Sequence, residues 1–434
     1  MTWLRWTGVA LALGALALAP EPTPPRAVWL WDPAPLLDDA RANVAFFDFC
    51  ERQRIGVVWA QIRTSTPSGS RRLDRPSDWQ RFMAAAHRRG MKVHALDGDP
   101  HFALREQHLV PLSIVEAVVA YNTAAAPAER FDGIHFDNEP HILLQWRVPR
   151  LREQLLAAYL DLNAQASAIA RRHGLAYGVD IPFWWQTIDE ETKEAVGIVT
   201  FHGVRQSATW HLLELVDNLG IMDYRTMASG PDGIVAHATP ILERAERAGK
   251  ARVYVGVETS VEQGTFWFLL GASRDAVQAA IASHSQARTL LERHRARLVD
   301  DGAVTHVGVK DAPDAAAALA AIARELSAPL FDSSDTILAS ARPAFRSAGE
   351  WQDLRPRSIA ADDPAASTRA EGAYAGAMAT LQTPPKVTFA GQSLAGMNAQ
   401  LAQSETAFAA YRQYAGIAIH DYAAFLRLTE GRRE

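Results

Sequence analysis

The stretch Phe131-Asp132-Gly133-Ile134-His135-Phe136-Asp137-Asn138-Glu139-Pro140-His141 gathers the chain's best candidates for acid–base chemistry. Read as a strand, its side chains alternate, so His135, Asp137 and Glu139 share one face while Ile134 and Phe136 point the other way. Carboxylates on the inner face of a strand are costly unless they are paired or used. One reading is a solvated strand end at which Asp137 and Glu139 cap the helix that follows. The other is an acid–base site at the carboxyl end of a barrel strand.

The elements that must position such a site are legible from the rest of the chain. Its 434 residues suffice for one large domain with insertions. Apolar content of 48% and charged content of 21% predict a sizeable core. A formal net charge of −5 argues against a nucleic-acid or anionic-membrane partner, and the basic pairs Arg71-Arg72, Arg88-Arg89 and Arg171-Arg172 are scattered. Residues 1–19 pair one early positive charge, Arg5, with an apolar run too short to span a bilayer, and a Pro-rich linker occupies 20–26. This predicts a cleaved secretory signal and a secreted or periplasmic protein, with an uncleaved anchor as the alternative. The single cysteine, Cys50, lies on a helical pattern as a small core residue, so no internal disulfide is expected.

Apolar runs at 28–31, 55–62, 91–96, 175–181, 219–224 and 253–258, with the central stretch, read as strands. Helical patterns at 36–54, 78–89, 112–124, 151–172 and 236–248 separate them, and Gly90 and Gly249 mark helix ends. The βα spacing of roughly thirty to forty-five residues predicts an α/β fold, a (β/α)8 TIM barrel. A doubly wound open sheet is disfavoured because Trp31-Asp32-Pro33 stands where a Gly-rich phosphate turn would follow the first strand. The eighth strand has two candidates, 304–309 and 416–422. The second is preferred because it ends in polar residues and leads into a short helix, although another strand-like run, 387–390, precedes it. The barrel then comprises 27–265 and 386–434. Residues 266–385 form an insertion in the seventh βα loop, a small α/β subdomain (helices 273–298 and 312–326) followed by a polar, flexible stretch at 333–367.

Polar residues collect at the predicted carboxyl ends: Asp32, Gln61, Arg63, Asp97, Asp99, His135, Asp137, Glu139, Asp180, Asp223, Tyr224, Arg225, Glu258, His420 and Asp421. In a barrel this is the active-site end. Trp31 lies near it, and Phe183-Trp184-Trp185 after the fifth strand suits a flat platform on which sugar rings stack, with packing as the alternative.

The segment Asp132-Gly133-Ile134-His135-Phe136-Asp137-Asn138-Glu139 resembles the fourth-strand signature of family 18 glycoside hydrolases, Asp-Gly-x-Asp-x-Asp-x-Glu. Met222-Asp223-Tyr224 is similar to that family's sixth-strand Met-x-Tyr. The resemblance implies that Glu139 is the general acid, that Asp137 orients a substrate acetamido group, and that Tyr224 supports the substrate carbonyl. His135 departs from the family's middle Asp, and a clear eighth-strand Trp is lacking. Asn138-Glu139-Pro140 also resembles the Asn-Glu-Pro of cellulase-like retaining glycosidases, which implies a nucleophile at the end of strand seven, where Glu258 stands.

Glycosidic cleavage needs a proton donor for the leaving oxygen and stabilisation of an oxocarbenium-like centre. The two carboxyls stand about 5–5.5 Å apart in retaining enzymes and about 6.5–9.5 Å in inverting ones. The expected machinery is Glu139 as acid, its proton affinity raised by Asp137 and an apolar wall, Glu258 as nucleophile or base, and Tyr224. His135, Asp180, Trp184, Trp185, Asp223, Arg225, His420, Trp31 and Asp97 are the expected substrate contacts, with Tyr224 and His420 orienting a hydroxyl or Glu258 itself. The structural alternative for Glu258 is an ion pair to Arg225 or Arg63. The expected partner is a polysaccharide or glycoconjugate, with no cofactor. Two rivals are a non-catalytic carbohydrate-binding barrel and a metal-dependent hydrolase with ligands from His94, Asp97, Asp99, His135 and Asp137.

Overall fold

The computed structural model of the chain describes residues 23–261 apart from isolated positions, 375–431, the strand segments 263–270, 297–300 and 304–309, and scattered helical positions over 279–289. The expected signal, the 312–326 helix, the stretch 333–367 and most of the 273–298 helix lie outside the described residues.

Eight strands form a closed barrel: β1 (Arg26–Leu30), β2 (Ile55–Gln61), β3 (Lys92–Asp97), β4 (Gly133–Phe136), β5 (Ala176–Pro182), β6 (Asn218–Met222), β7 (Arg252–Glu258) and β8 (Tyr414–His420). Every neighbouring pair is parallel, and β8 joins β7 to β1, which excludes the open sheet. Val304–Val309, the other candidate for the eighth stave, pairs antiparallel with Arg297–Asp300 and Gln263–Leu270 in a separate sheet that Ala375–Gln382 completes. The run 387–390 is no strand but a turn.

Strands buried on both faces need apolar residues in both phases, and these have them. The outward phase (Val28, Val58, Val93, Ile134, Val179, Ile221 and Val255) joins the main core beneath the helices. The inward phase makes a second core from Trp29, Val57, Trp59, Leu96, Tyr254 and Ala418. Helices Ala34–Asp38 and Ala40–Arg52 replace the single predicted one, because Asp39 accepts from Arg41 N at 2.8 Å and starts a new helix. Helix Ile234–Ala248 stops at Gly249, whose φ of 68° suits a residue without a Cβ.

The lumen admits large polar side chains because glycines face them in register. His94 pairs with Gly133, His135 with Gly178 and Asp180 with Gly220 on successive strands. A Cβ on these glycines would lie 2.9 Å from His94 Nδ1, 2.6 Å from His135 Nδ1 and 1.9 Å from Asp180 Oδ1. Any larger residue would evict its neighbour.

Candidate active site

β4 is shorter than its sequence suggests. It ends at Phe136, which leaves Asp137, Asn138 and Glu139 in the loop above. Asp137 still follows the ladder, its N–H donating to Asp97 O at 3.0 Å. Glu139 turns away from it, with φ of 44° at the start of a 3-10 turn, Pro140–Ile142. For a residue with a Cβ this left-handed conformation costs about 1–2 kcal/mol. The Glu139 side chain makes no capping bond to that turn, so capping does not explain it. Strain of this kind persists where surrounding structure aims a group. The carboxylate lies over the mouth, with His141 Nε2 3.6 Å from Oε1.

Asp137 sits beside it, and its Oδ1 is buried without a hydrogen-bond partner. Burial, then the charges of Glu139 and Asp180, raise its carboxyl well above the usual range and favour the protonated form. Tyr224, just past β6, is half-buried. Burial and then the four carboxylates Glu258, Asp137, Glu139 and Asp180 push its phenol well above its ordinary value, so it remains a hydroxyl able to donate. One donor is thus surrounded by acids from β4, β5 and β7.

Glu258 ends β7 and is paired in register with His420, the last residue of β8. Its Oε1 accepts from the N–H groups of Thr259 (2.8 Å) and Ser260 (2.7 Å). His420 Nδ1 lies 3.1 Å from Oε1 and 2.9 Å from Oε2. The alternative of an ion pair to Arg225 or Arg63 does not form: Glu258 pairs with His420, and Arg225 binds Asp232 at 2.7 Å. On the other side of the imidazole, Trp31 Nε1 donates to His420 Nε2 at 2.8 Å. Burial works against a charged ring; on charge alone Glu258 outweighs it and would push His420 up to about 9, the Trp31 donor left aside.

A polar layer supports this mouth from below. Asp180 Oδ2 accepts from Trp29 Nε1 at 2.9 Å. Its Oδ1 lies 2.9 Å from His135 Nε2, close enough for charge but not aligned for a hydrogen bond. The His135 ring stacks on Trp59 with centroids 3.9 Å apart and planes at 13°. Lower still, His94 is pushed down to about 3 by burial, then by His135 and Lys92. The Asp180 carboxylate is thus held by one indole N–H, with the His135 ring beside it and Trp59 stacked on that ring.

Strand parity sorts the sequence candidates. Trp31, His135, Asp137, Asp180, Tyr224, Glu258 and His420 occupy the inward phase and converge with Glu139. His135 and Asp180, expected as substrate contacts, have fully buried side chains and lie beneath the mouth. Asp97 and Asp223 fall on the outward phase and do not join the site. Asp97, raised to about 6 by burial, accepts from Gly98 N at 2.8 Å. Asp223, also raised to about 6 by burial against the pull of His237, binds His237 Nδ1 at 2.9 Å on helix Ile234–Ala248. Arg225 is drawn the same way, its guanidinium 4.8 Å over Phe183 and its Nε on Asp232. Trp185 is no platform: it is 0% exposed, stacked on Trp146 at 5.4 Å and edge-on to Tyr159 at 5.8 Å. Trp184 is only half-buried, its ring edge-on to His141 at 5.3 Å.

Sequence reasoning missed three contributors. Trp29 holds Asp180 with its N–H, and its inward phase is the available signal. Asn138 is fully buried with both amide atoms unpartnered; the Asn-Glu-Pro motif names it but gives it no role. The backbone donors of Thr259 and Ser260 follow from a loop geometry that residue types do not reveal. The rival metal set is not assembled, because Asp97 faces outward and Asp99 bonds His101. Among the described residues no group of three or more His, Cys, Asp or Glu is placed to hold a metal ion.

No family model matches the sequence, and no curated protein matches it. Solved structures similar to it in fold include the C-terminal domain of a putative chitinase from Desulfitobacterium hafniense DCB-2, 14% identical over 70% of this chain and 92% of that one, with a TM-score of 0.38. A chitinase from Chromobacterium violaceum ATCC 12472 is 14% identical over 68% of this chain and 88% of its own, with a TM-score of 0.35. A GH18 chitinase from Cycas revoluta in complex with (GlcNAc)3 is 13% identical over 69% and 92%, with a TM-score of 0.34.

Proposed function

We propose that the chain is a glycoside hydrolase acting on a polysaccharide or glycoconjugate outside the cytoplasm. The observation that carries this reading is the convergence of Glu139, Asp137, Tyr224 and the His420-backed Glu258 at the carboxyl end of one closed barrel. In this reading Glu139, held over the mouth by its left-handed backbone, gives its proton to the leaving glycosidic oxygen. Asp137, buried and favouring its protonated form, shares that proton and steadies the substrate. The Tyr224 hydroxyl donates to a substrate oxygen that gains charge. Glu258, fixed by two backbone N–H groups and an imidazole, faces the oxocarbenium-like carbon as nucleophile or base.

The N-terminal apolar segment supports export, and no helix among the described residues is long and apolar enough to cross a membrane. The test is a panel of purified polysaccharides, with release of reducing ends as the readout and Glu139→Gln as the control. The wild type is expected to cleave at least one class, and the variant to lose about 10²–10⁴-fold in turnover while melting normally. Cleavage by Glu139→Gln at the wild-type rate would remove the acid role, and binding without cleavage by the wild type would favour the carbohydrate-binding alternative.

A further inference from the structure

The contact between Trp31 and His420 decides which proton the imidazole carries. An indole nitrogen can only donate. Its N–H is aimed at His420 Nε2 across 2.8 Å, so Nε2 must present a lone pair. Nδ1, 2.9 Å from Glu258 Oε2, is then the protonated nitrogen. An imidazolium in this position would place two hydrogens between nitrogens 2.8 Å apart, which sterics forbid. The ring cannot escape by turning, because Glu258 holds its other nitrogen with both oxygens.

Charge and geometry therefore pull His420 in opposite directions. The groups facing it are Glu258 at the end of β7, Glu139 above β4, its own neighbour Asp421, and Tyr224 past β6, whose ring centre is 5.8 Å away. The three acids favour the charged ring. From β1, Trp29 offers only a ring edge, with centroids 5.6 Å apart, and Trp31 offers the donor. Among these groups Trp31 alone opposes protonation through a direct bond, and it stands at the rim, half-buried.

We propose that Trp31 is a positioning residue that holds His420 in its neutral, Nδ1-protonated tautomer and so leaves the charge of Glu258 uncompensated in the barrel mouth. The consequence for turnover rests on the hydrolase reading: a cation forming at the sugar ring is stabilised by an uncompensated Glu258 and opposed by an imidazolium beside it. The lock itself is independent of that reading. Its acid-side prediction is that His420 takes a second proton only when the Trp31 hydrogen bond breaks.

The experiment is long-range 1H–15N NMR of the intact histidine- and tryptophan-labelled protein, with His420 assigned by its loss in His420→Gln. At pH 7 the wild type is expected to show a protonated Nδ1 and a bare Nε2. On acidification, the Trp31 indole proton is expected to shift at the pH where His420 titrates. An imidazolium at pH 7 in the wild type, or a His420 titration that leaves the indole unmoved, overturns the proposal. Trp31→Phe, which removes the donor and keeps an aromatic ring, is expected to turn His420 into an imidazolium at pH 7. A ring that stays neutral there also overturns it.

On a polysaccharide the protein cleaves, Trp31→Phe should move the acid limb of kcat upward by about one pH unit, about a fivefold loss at the wild-type midpoint approaching tenfold well below it. In the His420→Gln background Trp31→Phe should add no further pH shift. A rise in KM with the limb unmoved would mean that Trp31 is only a sugar platform, and would overturn the proposal. The spectra need no substrate, so a protein that shows the lock and cleaves nothing sinks the hydrolase reading alone.

Discussion

A Cβ on Gly220 would lie 1.9 Å from Asp180 Oδ1, its register partner on β5. Asp180 cannot back away, because Trp29 Nε1 holds its other oxygen at 2.9 Å and His135 faces Oδ1. Gly220→Ala must therefore push a buried carboxylate off its donor. Overpacking costs about 1–3 kcal/mol, and a lost hydrogen bond to a charged group adds about 1.5–3 kcal/mol. The expected result is a loss of about 2.5–6 kcal/mol in urea denaturation. An unchanged midpoint would mean that the glycine does not make room for the acid.

The barrel itself was legible because its strands and helices alternate at a regular spacing and glycines such as Gly249 end the helices where expected. The site was half legible. His135, Asp137 and Glu139 advertise themselves by charge in an apolar run, and Glu258 and His420 by their place at strand ends. What failed was counting every polar residue at a strand end without asking which way it points. Asp97 and Asp223 differ from Leu96 and Tyr224 by one residue, and one residue is the difference between barrel wall and lumen. Trp185 failed for another reason: a tryptophan after a strand looks the same in sequence whether it meets Trp146 and Tyr159 or open solvent. Burial by residues distant in sequence is not written in local pattern.

His94 gives a stability signature. In the fold it is pushed from 6.5 down to about 3 by burial and by the neighbouring His135 and Lys92. The unfolded chain therefore binds more protons than the fold between those values, and stability falls as pH drops through that window. The slope from this one group is up to about 1.4 kcal/mol per pH unit. Above pH 7 it contributes no pH dependence. His94→Gln should flatten the difference between urea midpoints at pH 7 and pH 4.5. Parallel wild-type and variant curves across that range would show that His94 takes up its proton without cost.

The paired tryptophans separate binding from packing. Trp185, wholly buried against Trp146 and Tyr159, should cost about 3–5 kcal/mol when truncated to alanine. Trp184 keeps an exposed part, and its alanine variant should fold with a smaller loss and show weaker retention on the cleaved polysaccharide in affinity electrophoresis. If both variants unfold alike, the platform role has no place at either position.

Asp137 offers the sharpest test, because Asn keeps its shape and removes only its ability to titrate. After burial, the charge of Glu139 is the largest cause that raises the Asp137 carboxyl, so protons on this adjacent pair are not independent. Once Asp137 ionises in the wild type, its charge helps to retain the remaining proton on the pair, which Asn cannot do. The alkaline limb of kcat/KM in Asp137→Asn should move to lower pH by about one unit, equivalent to about 1.4 kcal/mol. Turnover at the optimum should fall about 10²-fold or more, with KM little changed. Stability should move the other way. A carboxyl raised in the fold stabilises it fully below the ordinary value of 3.8, and that contribution is lost as pH rises through the raised value. The Tm of Asp137→Asn relative to wild type should therefore climb from pH 4 to pH 9. A variant whose alkaline limb matches the wild type, with a constant Tm difference, would show that Asp137 neither shares the proton nor feels its neighbours.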